Sequence, residues 1–385
     1  MNFKLKNNEI INNKMTSKLN IGILGAGGFA NFAAKSFLKV EGIKIIAVTD
    51  INESAAKATA NDLDAKVYKN YQDMLQDDTI NLIYIATPPF LHYSQSKLAL
   101  EAGKHVICEK PAALKAEEAE ELAAYAKSKE FLYVVNLMQR YNPLYKIVDQ
   151  IIKENILGEF LHGFFENYAS DEKLTKEHWF WDEDKSGGIF IEHGVHFFDM
   201  FEGWLGSGKL VSAIQSQRAN VSQKIVDRVQ ATVSYKDSFV NFYHGFNQPQ
   251  ILDRQELRLQ FEKGDITLFE WVPVKMRINA LLTHQQRIDL ESKLEYCILE
   301  QHNPAGQENQ KVVGNFKTIC FDEFVTIDYG TAAEKSNRYE EIVIAMIVDQ
   351  WKWIKDKSHC RIITEDNAVK SLQIAEAAAK AATFI

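Results

Sequence analysis

The stretch LNIGILGAGGFANFAAKSFLKV, from Leu19 to Val40, carries three signals in one run. LNIGIL is a short apolar segment of the length and composition of a buried strand. GAGGFA follows directly, with glycines at Gly25, Gly27 and Gly28 and Ala30 beyond them. NFAAKSFLKV then has apolar residues at helical spacing. A strand running through a glycine turn into a helix leaves the first backbone N–H groups of that helix free to bind an anion. Gly25 permits the tight turn, and Gly27 lets another group come close to the backbone.

The next strand, KIIAVTD from Lys44 to Asp50, ends on an acid about twenty residues beyond the turn, the spacing of a dinucleotide fingerprint. The turn residues Gly25, Gly27, Gly28, Phe29 and Ala30 are thus expected to hold a pyrophosphate, and Asp50 the adenosine ribose. A carboxylate accepts from both ribose hydroxyls and repels a 2′-phosphate. No Lys or Arg directly follows it, so NAD is expected over NADP.

Outward from this unit, strands NLIYIATP, KHVICEKP and FLYVVNL alternate with helical segments FLHYSQSKLALEA and KAEEAEELAAYAKSK. Such alternation predicts an α/β Rossmann domain with a parallel sheet covered on both faces, over 19–137. Ligands lie beyond the carboxyl ends of such strands. That rule selects Thr87, Pro88 and His92 from ATPPFLH, and Glu109 and Lys110 from CEKP. Arg140 and Tyr141, just past the last strand, are candidates to border the same cleft.

The pattern then changes. LVSAIQSQRA, VDRVQATVSY, FVNFYHGFN, ELRLQFE and ITLFEWV alternate apolar and polar residues with no helices between them. They predict an α+β domain over 138–385 with a large, mostly antiparallel open sheet. Met276 to Phe316 has no clean period and is compatible with further strands or an insertion. The C-terminal helix is expected to pack back on the first domain. Residues 1–18 are polar, lack the apolar core of a signal peptide, and read as a flexible leader.

The chain has 385 residues, a net charge of −8 and no basic cluster, which argues against a nucleic-acid partner. Its four cysteines are scattered, excluding a Cys-x-x-Cys zinc knuckle and a disulfide framework, and a reducing cytoplasm is expected. No apolar run reaches the roughly 18 residues of a membrane span.

GGIFIEHGVHFFD, from Gly187 to Asp199, allows three readings: metal site, acid/base site, or core helix. On a helix Glu192, His196 and Asp199 share an edge, and Gly194 leaves room for a flat ring or ligand beside them. His193 is expected to point off that edge. Helical zinc pairs are usually spaced four apart, not three, so no metal is expected. In KEHWFWDEDKSGG just upstream, Trp179 and Trp181 either face a carbohydrate ring or belong to the core.

GILGAGGFA, Asp50, ATPPFLH, CEKP and GGIFIEHGVHFFD, with the closing RIITEDNAVKSLQIAEAAAKAA, together resemble the glucose-fructose oxidoreductase, inositol dehydrogenase and MocA family from Leu19 onward. The resemblance implies a sugar, inositol or related polyol as substrate, and a homodimer or homotetramer formed through the open sheet. It assigns Lys110 to the family's catalytic lysine and His196 to its acid/base. Glu192 stands where the family usually has Asp, and His193 is not a family hallmark. The resulting hypothesis has Lys110 and His196 at the reacting hydroxyl, with Glu192 orienting a neighbouring hydroxyl or the imidazole. His193 and Asp199 are further substrate-binding candidates. Two alternatives stay open: a redox-neutral NAD-dependent lyase or glycosidase, and a non-catalytic NAD-binding regulator.

Overall fold

Six parallel strands form the first sheet: β1 (Leu19–Leu24), β2 (Ile43–Thr49), β3 (Lys66–Val67), β4 (Leu82–Ile85), β5 (His105–Cys108) and β6 (Tyr133–Val135), in the order β3-β2-β1-β4-β5-β6. The computed structural model describes residues 18–219, 224–294, 296–304 and 306–385, so the expected leader lies outside it apart from Lys18. Parallel strands need crossovers, and helices Gly28–Phe37, Glu53–Leu63, His92–Glu101 and Ala116–Lys129 supply them. The apolar runs are buried on both faces. Ile21, Ile23, Leu82 and Tyr84 join one core, and Ile83, Ile85, Val106 and Cys108 the other. The chain order reverses between β1 and β4, which opens a crevice at their carboxyl ends.

The second sheet has ten strands: β7 (Phe160–Ser170), β8 (Lys209–Gln217), β9 (Val226–Tyr235), β10 (Ser238–Gln248), β11 (Arg254–Phe261), β12 (Gly264–Phe269), β13 (Lys275–Leu282), β14 (Ile298–Gln301), β17 (Glu323–Gly330) and β18 (Thr383–Phe384). A separate hairpin, β15 (Gln310–Gly314) with β16 (Lys317–Phe321), and a helix, His284–Lys293, occupy the stretch that had no clean period. Most neighbours are antiparallel, as the alternating runs predict, but β7–β10 and β8–β18 are parallel. Between β7 and β8 the chain leaves the sheet and forms the site helix. Phe165 and Asn167 on β7, and Val240, Phe242 and His244 on β10, point to the covered face.

The last two long helices return to the first sheet. Lys335–Lys355 packs Ile342, Val343, Met346, Ile347 and Trp351 into the core that holds β1. Glu365–Ala381 is tied to helix Ala116–Lys129 by Lys127–Asp366 at 2.6 Å and Gln373–Glu120 at 2.7 Å. No helix among the described residues is long and apolar enough to cross a membrane.

Candidate active site at the carboxyl ends of the first sheet

Gly25 has φ +97°, and a Cβ there would lie 2.6 Å from the Ala86 carbonyl oxygen, so glycine is required by conformation and by space. Gly27 and Gly28 face open space, and helix Gly28–Phe37 starts with no side-chain cap. Asp50 spans the turn from the end of β2. One carboxylate oxygen accepts from Ala26 N–H at 2.7 Å, and the other from Asn52 N–H at 2.7 Å. Each oxygen keeps a lone pair for a further donor.

The ends of β4, β5 and β6 bring Thr87, Glu109, Lys110 and Asn136 together. Glu109 accepts from the Tyr84 hydroxyl and, at 2.8 Å, from the Asn136 amide. Burial pushes its carboxyl above the ordinary range, partly offset by these bonds. The Asn136 Oδ1 atom is buried without a partner among the described residues. His92 does not face the cleft as a free ligand: its ring nitrogens lie 2.6 Å from the Pro111 carbonyl and 2.7 Å from that of Thr87. It clamps two strand-end loops together.

The site helix begins with Gly187 and Gly188, both at positive φ, followed by a π-helical turn, Phe190–Gly194, and the α-helix Val195–Leu205. Such turns are frequent at functional sites. Glu192 holds Lys110 twice, through its carboxylate and through its carbonyl at 2.8 Å. Among the described residues it makes no hydrogen bond to His196, whose Nδ1 has no partner. Burial, then the Lys110 ammonium, holds His196 well below the ordinary histidine range, so the ring is neutral. His193 is less remote from the site than its helical position suggests. Its ring and that of His196 both meet Trp271 edge-on, at 6.1 and 4.7 Å between centroids. The space left by Gly194 is taken by Phe198, whose ring would lie 2.9 Å from a methyl added there, and not by a ligand.

A cleft of about 300 Å³ is lined by Phe29, Ala86, Thr87, Glu109, Lys110, Asn136, Met138, His196, Trp271 and Tyr339. Asn136, Met138, Trp271 and Tyr339 escape the sequence reading. Asn136 could have been found, since it ends a strand as Thr87 and Glu109 do. Trp271 and Tyr339 arrive from the turn between β12 and β13 and from the late helix Lys335–Lys355, with no local signal. Conversely, Arg140 and Asp199 form a two-pronged ion pair with each other at 2.8 Å, and Tyr141 donates to Asp349 at 2.6 Å. Trp181 is buried and donates to the Leu174 carbonyl, while Trp179 meets the His178 ring at a tilt of 34°. None of these five lines the cleft. Among the described residues no group of three His, Cys, Asp or Glu side chains is arranged to hold a metal ion.

The residues fit a bound dinucleotide. The open glycine cradle and uncapped helix offer free N–H groups to a pyrophosphate, and the unpartnered Asn136 Oδ1 offers an acceptor to an amide at the cleft. Among the described residues no Lys or Arg pairs with Asp50.

Residues 19–137 match the model of an oxidoreductase family with an NAD-binding Rossmann fold, and residues 145–267 match the GFO/IDH/MocA C-terminal domain. Oxidoreductase P35 of Formosa agariphila is 26% identical over 321 residues, covering 79% of this chain and 99% of that protein. The chain spans about half the length of several other curated relatives it matches. Levoglucosan dehydrogenase, solved with NADH and levoglucosan, has a TM-score of 0.75 at 16% identity, covering 95% of this chain and 97% of that one. KijD10, a 3-ketoreductase from Actinomadura kijaniata solved with NADP and TDP-benzene, has a TM-score of 0.73 at 15% identity, covering 96% and 99%. With both domain models matched in order, and with the glycine turn, the Glu-Lys-Pro strand end and the site helix converging on one cleft, the chain belongs to the Gfo/Idh/MocA oxidoreductase family.

Proposed function

We propose that the protein transfers hydride between a hydroxyl-bearing carbon of a sugar, inositol or related polyol and a nicotinamide cofactor, with NAD preferred over NADP. The observation that carries this reading is the meeting of Lys110 and His196, from different domains, in one cleft at the strand carboxyl ends. A bound nicotinamide supplies the hydride acceptor. The chain's own groups manage the oxygen and its proton. Glu192 occupies two N–H directions of the Lys110 ammonium, which leaves the third for the substrate oxygen, where it stabilises developing negative charge. The neutral His196 ring takes the hydroxyl proton, and with no partner on Nδ1 its tautomer follows what occupies the cleft. Trp271, Met138 and Tyr339 exclude water, and the indole suits the apolar C–H face of a sugar ring. The Asp50 carboxylate, unpaired with any cation among the described residues, supports the NAD preference. The same reading has copies of the chain meeting through the outer face of the larger sheet, where Phe164, Tyr168, Phe239 and Tyr243 stand.

The test is a panel of sugars, inositols, aldonates and glycosides with NAD or NADP, read by nicotinamide absorbance. NADH should form with at least one of them, and Lys110→Ala and His196→Ala should each lower kcat by about 100-fold or more. Near-normal turnover in both variants would end the assignment. Product without net NADH would move the same residues to a redox-neutral route.

A further inference from the structure

Trp271 lines the cleft from the turn between β12 and β13, and side chains distant in sequence fix the backbone of that turn. Gln139, on the segment that leaves β6, donates from Nε2 to the Trp271 carbonyl at 2.8 Å. Asn142 donates from Nδ2 to the Pro273 carbonyl at 2.9 Å, while its Oδ1 caps helix Pro143–Lys153. Lys335 pairs with Glu270 at 2.8 Å. Val272 and Val274 are buried, Val272 in the core that holds β1. Glu270, the residue before the indole, has φ +79°, a left-handed backbone that a long side chain adopts only when its surroundings enforce it. Gln139 is almost fully buried, and its Oε1 has no partner among the described residues. Burying an unsatisfied amide oxygen is unfavourable, so an apolar residue would suit this position better were it not for the bond to the turn. What the turn delivers is the indole. Trp271 packs on both cores, and its ring meets the His196 imidazole edge-on at 4.7 Å between centroids. His196 is only 3% exposed although it borders an open cleft.

We propose that Gln139 and Asn142 are positioning residues for the reaction: by fixing the carbonyls of the Trp271 turn they hold the indole against His196, where it keeps water off the imidazole. The inference rests on the reading of His196 as proton acceptor and adds what keeps that acceptor neutral. Burial is the main cause of its lowered value, and the Lys110 ammonium is the second. The other titratable groups around the ring have partners of their own. Glu192 is engaged by Lys110, His193 by His244, Glu109 by Tyr84 and Asn136, and Glu270 by Lys335. Tyr339, across the cleft, is kept un-ionised by burial. Access of water is therefore the variable that the indole controls. A ring opened to water rises toward the ordinary value of about 6.5, and it then carries a proton, and cannot accept one, at mildly acidic pH.

The experiment compares wild type, Gln139→Leu, Trp271→Phe, Trp271→Ala and the double variant Gln139→Leu/Trp271→Ala in the pH profile of kcat/KM on the best panel substrate. The acidic limb reports the proton acceptor of the substrate-free enzyme. It should rise by about one pH unit or more in Gln139→Leu and Trp271→Ala, and by less in Trp271→Phe, which keeps a ring. The double variant should share the limb of Trp271→Ala, because Gln139 acts through the indole. Gln139→Met replaces Gln139→Leu if the latter does not fold. A purely structural role would lower melting temperature and leave the limb in place. An unmoved limb in Trp271→Ala or in the folded Gln139 variant, or a further rise in the double variant, would overturn the inference and leave hydride transfer intact. If no panel compound is turned over, or His196→Ala stays active, the hydride-transfer reading fails first. The shield is then decided by diethyl pyrocarbonate, with carbethoxylation of His196 read by peptide mass. Labelling several-fold faster in the Gln139 variant and Trp271→Ala than in wild type supports it, and equal labelling rejects it.

Discussion

Asp50 does two jobs at the residue scale. It fastens the glycine turn to β2 through Ala26 and Asn52, and it presents the lone pairs expected to meet the adenosine ribose. Asp50→Ala should therefore weaken NAD by about 10-fold or more, since hydrogen bonds to a charged group are among the stronger ones. NADP should suffer less, because the repulsion of its 2′-phosphate is removed at the same time. Fluorescence titration with each dinucleotide checks this, and equal losses for both would confine Asp50 to the turn. Gly25, Asp50 and Lys110 are legible in the sequence because their roles follow from local context: a strand end, a turn, a fixed spacing. Glu192 is legible as a site residue but not in its contact. Sequence spacing puts it one helical turn from His196, yet its carboxylate is drawn to the Lys110 cation arriving from the other domain.

At the scale of the element, the entry to the site helix is built from backbone conformations that few residues tolerate. Gly187 and Gly188 have φ of +76° and +79°. A side chain in the left-handed region costs about 1–2 kcal/mol. Gly188→Ala, with nothing within 4 Å of the added methyl, should lose about that much stability. Gly187→Ala should lose more, because its methyl would also lie 2.7 Å from Ile191 Cγ2. Urea unfolding midpoints would rank the two, and a reversed order would contradict the packing of this turn. The helix itself is visible in the spacing of its apolar residues. The π-helical turn at Phe190–Gly194 is not, because it depends on how Glu192 and His193 are engaged by Lys110 and His244 from elsewhere in the chain. Gly194 shows the same limit: its missing side chain signals a close approach, but only packing reveals that Phe198 makes it.

For the whole molecule, burial lowers six histidines, and the four lowered furthest are His105, to about 4, His244, to about 3, and His193 and His196, well below the ordinary range, with His92 and His162 lowered less. Unfolding frees each to bind a proton, so the unfolded state gains protons as pH drops below about 6.5. Stability is thus full above that value and lost progressively below it, down through the folded-state values. The limiting slope for four protons is about 5 kcal/mol per pH unit. Glu109 and Asp199, raised by burial, oppose part of this at lower pH. Melting temperature should accordingly fall steeply between about pH 7 and 5. His105→Gln should make the fall shallower, since one of the four protons is then gone. An unchanged slope would mean that His105 is not neutral in the fold.

The amino-acid sequence by itself determined the parallel first sheet, its glycine turn, the alternating strands of the second domain, and the residues at strand ends. These follow from periodicity and backbone sterics, which act between neighbours in the chain. Tertiary structure alone decided which of those residues share a cleft. Arg140, Tyr141, Asp199 and the two tryptophans are engaged elsewhere, most of them by partners far away in sequence. Trp271 and Tyr339 are brought in by segments whose patterns give no hint of it. The reason is physical: the direction of a side chain is local information, but the partner that satisfies its charge or hydrogen bond is chosen by packing of the whole chain.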